Sequence, residues 1–287
     1  MIIWIASYPK SGNTWVRSLL SAFLYTDNGA FTFDLLDKIK QFPSKQYFKF
    51  FMKDFKDIKK VSDYWIAAQD RINLFNEEVV FLKTHSALCT LENNSFTNKK
   101  NTKAVIYVVR DPRNVITSIS NHYSLNLDQA FDFLTNKKKI IFPESLKESQ
   151  KFSSEYYDVN VLGDWSGHYM SWKNINFCPV KIIKYEDILT DAHTIFISIL
   201  KFLSQFIEIK IEKEKIKQSI KSTSFKALSE MEKKQGFVES SVSPKTNKKV
   251  KFFNLGKENN WKKLLDNKTI KKINNAFKKE MIELNYL

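Results

Sequence analysis

YPKSGNTW, residues 8–15, stands between an apolar run, IIWIAS (residues 2–7), and an amphipathic run, VRSLLSAFLY (residues 16–25). The chain has only six glycines and six prolines in 287 residues, yet Pro9, Lys10, Ser11, Gly12 and Asn13 fall together here. An apolar run ended by Tyr-Pro predicts a buried strand. Residues 14–25 carry Trp15, Leu19, Leu20, Phe23 and Leu24 at helical spacing, so the unit reads strand, tight polar loop, helix. Such a loop is an anion cradle, because first-turn N–H groups lack intrahelical partners and the helix dipole is positive there. Lys10 adds a charge, Gly12 allows close backbone approach, and Ser11, Asn13 and Thr14 add hydrogen-bonding groups. The arrangement is not a Walker A loop: its lysine precedes its only glycine.

Outward from this unit, residues 79–83 (VVFLK) and 104–109 (AVIYVV) read as two further uninterrupted strands and residues 180–184 (VKIIK) as a fourth. Asp111 and Pro112 suit the cap and first turn of a helix over 114–123. Further helices are expected over 165–172, 187–206, 210–221 and 262–284. Residues 26–76 read as helical or irregular cover, 124–160 as a solvated insertion and 236–256 as a long surface loop. Strands alternating with helices imply one α/β domain over residues 1–287, P-loop-like and three-layered, its central parallel sheet flanked by helices.

The formal charge of +15 invites a polyanion partner. Of the 46 basic residues, however, 42 are lysine and spread along the chain, so nucleic acid is not the expected ligand. Arginine occurs only at 17, 71, 110 and 113, and two of the four in RDPR point to a need for a planar, bidentate donor. No run approaches the roughly 18 apolar residues of a membrane span. No basic leader precedes the first apolar run, and a cytoplasmic location is expected. Cys89 and Cys178 suit small buried hydrophobes better than a disulfide. Trp165 and Trp172, seven apart on one helical face, read as core. No spacing of ligands suggests a metal.

YPKSGNTW resembles the 5′-phosphosulfate loop of sulfotransferases that use 3′-phosphoadenylyl sulfate (PAPS). VIYVVRDPRNVITSISNHY resembles the same family's 3′-phosphate segment, with Arg110 at the strand end and Ser118 eight residues on. FLKTHSAL resembles the strand ending in the family's catalytic histidine, here His85 after Lys83 and Thr84. KIIKYEDIL would place Tyr185 near the adenine, and STSFKAL makes Thr223, Ser224 and Phe225 nucleotide contacts. Trp15 would be part core and part adenine contact. FFNLGKENNWKK resembles the C-terminal loop, giving Gly256, with Lys257 beside it. There Asn254 and Leu255 replace the usual arginine and lysine, each cationic contact being worth ~1.5–3 kcal/mol, and Lys251 or Lys257 lies close enough to compensate.

The resemblance implies transfer of a sulfuryl group from PAPS to a hydroxyl of a small-molecule or carbohydrate acceptor, leaving PAP, without a metal. His85 would be general base and Lys10 would stabilise the bridging oxygen. Lys83 would assist at the sulfuryl oxygens, while Ser118 would hold the 3′-phosphate and gate Lys10. His122 competes with His85 as a base; His168 and His193, in helical patterns, read as structural. Two other classes stay open on the residues alone: a magnesium-dependent phosphotransferase, for which no clear second-strand Asp is present, and a non-catalytic polyanion binder.

Overall fold

A computed structural model describes residues 1–53, 57–76, 79–141, 159–243 and 246–287. Five parallel strands form the central sheet: β1 (Ile2–Ser7), β2 (Lys40–Gln41), β3 (Val80–Thr84), β4 (Thr102–Val109) and β5 (Val180–Lys184), in the order β2-β3-β1-β4-β5. The two-residue edge strand β2 lies within the segment expected to be helical or irregular; it pairs with Leu82 and Lys83.

Uninterrupted apolar runs suit this sheet because successive side chains enter opposite, equally buried faces. Trp4, Ala6, Leu82, Val105 and Tyr107 pack on one face with Trp65, Trp165 and Trp172. Ile3, Ile5, Phe81, Ile106 and Val108 pack on the other against Leu19, Leu20 and Phe23 of α1 (Asn13–Leu24) and against Phe196, Ile199 and Leu203. The tryptophan pair is therefore core, with both rings buried. Cys89 and Cys178 are free thiols, partly buried.

α2 (Pro112–Tyr123) begins as RDPR predicts: the Asp111 carboxylate accepts from the Arg113 amide, and Pro112 occupies the first turn, where no N–H is needed. Elsewhere caps divide what apolar spacing joins. The stretch 187–206 is two helices, Tyr185–Thr190 and Ala192–Leu203, because the Asp191 side chain accepts from the Thr194 amide and starts a new helix. The C-terminal stretch divides likewise into Trp261–Leu264, Asn267–Ala276 and Lys278–Glu283, with Asp266 capping the second. The lysine-rich helix expected over 210–221 spans Lys213–Ser222.

The expected insertion over 124–160 contains a packed helix, Leu127–Thr135, opened by a capping box between Asn126 and Gln129 and buried through Ala130, Phe133 and Leu134. The part of that insertion over 142–158 lies outside the described residues. The loop expected over 236–256 is irregular where described, but it is not merely superficial: Phe237 and Phe253 join a buried cluster with Leu36 and Leu228.

Candidate active site

The carboxyl ends of β1, β3, β4 and β5 lie side by side in a parallel sheet, and each is followed at once by candidate site residues: Tyr8 to Trp15, His85, Arg110 and Tyr185. This is the edge at which open α/β sheets take ligands. The loop after β1 makes its turn with two left-handed residues, Lys10 at φ 63° and Gly12 at φ 104°. Glycine is required at 12 for a second reason. A Cβ there would lie 2.4 Å from the Tyr185 ring, which crosses directly over the loop. Trp15 meets the same ring edge-on at 5.6 Å between centroids, and the Arg110 guanidinium stacks on it at 4.1 Å.

α1 opens at Gly12 with no side-chain cap, which leaves its first-turn amides to another partner. The Lys10 Nζ, Ser11 Oγ and Arg110 Nε atoms are buried and have no hydrogen-bond partner among the described residues. Three unsatisfied polar groups around one uncapped helix start are costly unless a ligand completes them. Asn13 serves the scaffold instead, donating to the Ile5 carbonyl at 2.9 Å. Lys10 Nζ lies 3.4 Å above the Phe252 ring rather than on Ser118. Burial, with Arg110 and Lys83 adding repulsion against the pull of Glu239, brings Lys10 from 10.5 down to about 7.

Arg110 Nη1 donates to the Lys10 carbonyl at 3.1 Å and to Ser118 Oγ at 3.3 Å, so the expected Arg110 and Ser118 pair is brought together beside the loop. Asn259, at the C-terminal turn, donates to Ser118 Oγ at 2.9 Å and accepts from Thr117. It ties the turn bearing Gly256 to α2. Phe225 packs directly on Gly256, where a Cβ would come within 2.6 Å of the ring. The Thr223 hydroxyl donates to the Ser219 carbonyl, and Ser224 caps the helix Phe225–Gln235. Lys251, Asn254, Leu255 and Lys257 are all exposed.

His85 follows β3 by one residue. Its Nδ1 lies 2.8 Å from the Ser7 carbonyl, which can only accept, so Nδ1 carries the proton and Nε2 keeps its lone pair. Burial, then the charge of Lys83, hold the ring well below the ordinary histidine range, so it is neutral near pH 7. His168 is not only a helix-packing residue. Its Nε2 donates to the His85 carbonyl at 2.9 Å and its Nδ1 accepts from Tyr107 at 2.8 Å, fixing the main chain that carries His85. His122 packs against Phe252, and its carbonyl accepts from Ser241.

The sequence assigns no role to two residues beside the site, Glu239 and Arg17. The Glu239 carboxylate receives Thr14 Oγ1 at 2.9 Å, Arg17 Nη1 at 2.6 Å and Lys83 Nζ at 3.0 Å. The charges of Lys83 and Arg17 outweigh the cost of its burial and hold Glu239 well below the usual carboxylate range. A single Glu in an irregular, lysine-rich loop has no local pattern; only the scarcity of arginine marked position 17. Among the described residues no group of His, Cys, Asp or Glu is placed to hold a metal ion.

An anion loop at the first strand, a histidine at the neighbouring strand end and an arginine and serine pair across the loop converge on one edge of an α/β sheet. The chain belongs to the sulfotransferase-domain family, whose model it matches over residues 2–285. It is 27% identical over 230 residues, 79% of its length, to luciferin sulfotransferase of Photinus pyralis. It is 24% identical over 227 residues, 78% of its length, to amine sulfotransferase of Oryctolagus cuniculus. These matches span 56% and 61% of the two relatives' own lengths. The fold is shared with retinol dehydratase in complex with androsterone and inactive cofactor PAP: TM-score 0.59, 17% identity, 98% of this chain and 80% of that one. Mouse sulfotransferase SULT7A1 complexed with PAP gives TM-score 0.55 at 18% identity, over 97% and 84%. No helix among the described residues is long and apolar enough to cross a membrane.

Proposed function

We propose that this protein transfers a sulfuryl group from PAPS to a hydroxyl group of a small-molecule or carbohydrate acceptor. The observation that carries the reading is the convergence of Lys10, His85 and the Arg110 and Ser118 pair at adjacent strand ends, around buried donors that lack partners among the described residues. These residues suit a PAPS molecule as substrate. The first-turn amides of α1, Asn13's among them, with the side chains of Ser11, Thr14 and Lys10 offer donors for a phosphosulfate, and Gly12 leaves the backbone open to it. Arg110 and Ser118 suit the 3′-phosphate, the guanidinium as a fork. Tyr185, Trp15 and Phe225 offer aromatic faces for adenine, with Thr223, Ser224, Gly256 and Lys257 on the flank.

In the transfer the acceptor oxygen forms a bond to sulfur as the bond from sulfur to the bridging oxygen breaks, its electron pair passing to the 5′-phosphate of PAP. His85 Nε2 takes the hydroxyl proton, a role available because Nδ1 is committed to Ser7. Lys10, as a buried cation, stabilises the charge that grows on the bridging oxygen. The mammalian, insect and plant relatives are named for an amine, a luciferin, a steroid and a flavonol. Residues 26–76, 124–160 and 236–252 are the segments proposed to select the acceptor.

The test is an acceptor screen with radiolabelled sulfate donor, covering alcohols, phenols and sugars, on wild type and His85→Ala. Label should pass to at least one class, and His85→Ala should lose roughly 10²-fold or more in rate while binding PAP as wild type does. No transfer to any class, together with no binding of PAP, overturns the reading.

A further inference from the structure

Lys83 and Arg17 place two cations on one carboxylate. Arg17 lies in the second turn of α1, with a side chain 6% exposed, and its guanidinium is fixed from behind: Nη2 donates to the Leu36 carbonyl at 3.2 Å and to that of Ile39 at 3.0 Å. Nη1 is thereby aimed at Glu239. Lys83, 5% exposed, is held by its strand and meets the same oxygen, Oε1, while Thr14 reaches Oε2. Three donors from α1 and β3 thus form a rigid oxyanion pocket. The anion in it comes from an irregular loop, on a side chain 23% exposed. The donors are anchored in α1 and β3, whereas the carboxylate comes from the loop.

The position of this pocket has chemical meaning. Thr14 is two residues beyond Gly12 in the anion loop, and Lys83 is two residues before His85. Lys83 and Glu239 act electrostatically on both Lys10 and His85, so the pocket borders the space between the loop and His85. A sulfuryl group presents terminal oxygens to hydrogen-bond donors much as a carboxylate does, and the two anions cannot share the pocket.

We propose that Glu239 fills the subsite of the donor's sulfuryl group until the donor displaces it, and that Arg17 then joins Thr14 and Lys83, which the resemblance already assigns to the phosphosulfate, as an additional donor-binding residue. The inference rests on the PAPS reading above and adds to it a carboxylate that competes with only one end of the nucleotide. PAP has no sulfuryl group and does not need the subsite; PAPS does. Glu239 therefore lowers affinity for substrate more than for product, and its return after transfer favours release.

The experiment is calorimetric titration with PAPS and, separately, with PAP, acceptor absent, of wild type, Glu239→Gln, Arg17→Gln and the double variant. Glu239→Gln should tighten PAPS about tenfold relative to PAP, and Arg17→Gln should weaken PAPS about tenfold relative to PAP, as expected for one charge-assisted contact. In the Arg17→Gln background, Glu239→Gln should no longer change the ratio of the two affinities. Should Arg17→Gln fail to fold, Glu239→Gln alone decides, since its side chain sits in a loop. A ratio unchanged by Glu239→Gln in a protein that binds PAP overturns the subsite and leaves the PAPS reading standing. A wild type that binds neither nucleotide overturns both.

Discussion

Replacing Lys10 by Met should make the protein more stable and less able to bind its nucleotide, and the gain in stability should vanish with rising pH. The Lys10 ammonium is buried without a hydrogen-bond partner among the described residues, and its fall from 10.5 to about 7 is caused first by burial. At about 1.4 kcal/mol per pH unit, the 3.5-unit difference sets an upper limit of about 5 kcal/mol for the cost of holding the charged form inside the fold. The contact with Phe252 offsets part of this, up to about 2 kcal/mol for a desolvated pair. A net gain of roughly 1–3 kcal/mol follows for Lys10→Met, which keeps the stem and the left-handed backbone position. Below pH 7 both folded and unfolded lysine are protonated, so the whole cost is present. Between about 7 and 10.5 the unfolded chain binds the extra proton, wild-type stability rises with pH, and the gap closes. Thermal unfolding at pH 6.5 and at pH 9.5 measures this: Lys10→Met should melt several degrees higher at the first and close to wild type at the second. A lower melting temperature for the variant at pH 6.5, or a difference independent of pH, would refute the reasoning. PAP affinity should fall at least tenfold in the same variant, for want of the charge.

Three further outcomes follow from the site. For donor, kcat/KM should decline above about pH 7 as free Lys10 loses its proton, while kcat stays level to higher pH because the bound anion retains it; the acid limb should lie below the ordinary histidine range, since His85 is already neutral there. Parallel declines in both parameters would count against Lys10. Gly12→Ala should cost about 2 kcal/mol or more in urea unfolding and abolish PAP binding, because φ is 104° and the new Cβ meets Tyr185 at 2.4 Å. Asn254→Arg, at an exposed position where the family pattern has a cation, should tighten PAP about threefold at low salt and less as salt rises; unchanged affinity would show that this turn does not face the 3′-phosphate.

What could be read from the sequence is what local chemistry governs. The four long strands are built on apolar runs, and the cap at Asp111 and the turn at Gly12 lie within a few residues of the groups that cause them. Helix boundaries set by a single cap were missed. Asp191 and Asp266 interrupt runs whose apolar spacing continues, and the capping box at Asn126 was hidden beside Lys137, Lys138 and Lys139. RDPR did mark a planar donor, but the fork of Arg113 serves Asp111 and the Tyr286 carbonyl, and its face lies on Trp261. Arg110 is the member that faces the loop. Glu239 lies more than 200 residues from Thr14 and Arg17, so tertiary folding alone brings that carboxylate into the cation pocket.

The most direct measurement of the central claim is calorimetric titration of the wild-type protein with PAP at low salt, beside ATP with magnesium. The account predicts saturable one-to-one binding of PAP, lost in Lys10→Met and Arg110→Ala, with ATP markedly weaker. Binding of magnesium ATP in preference to PAP would contradict it.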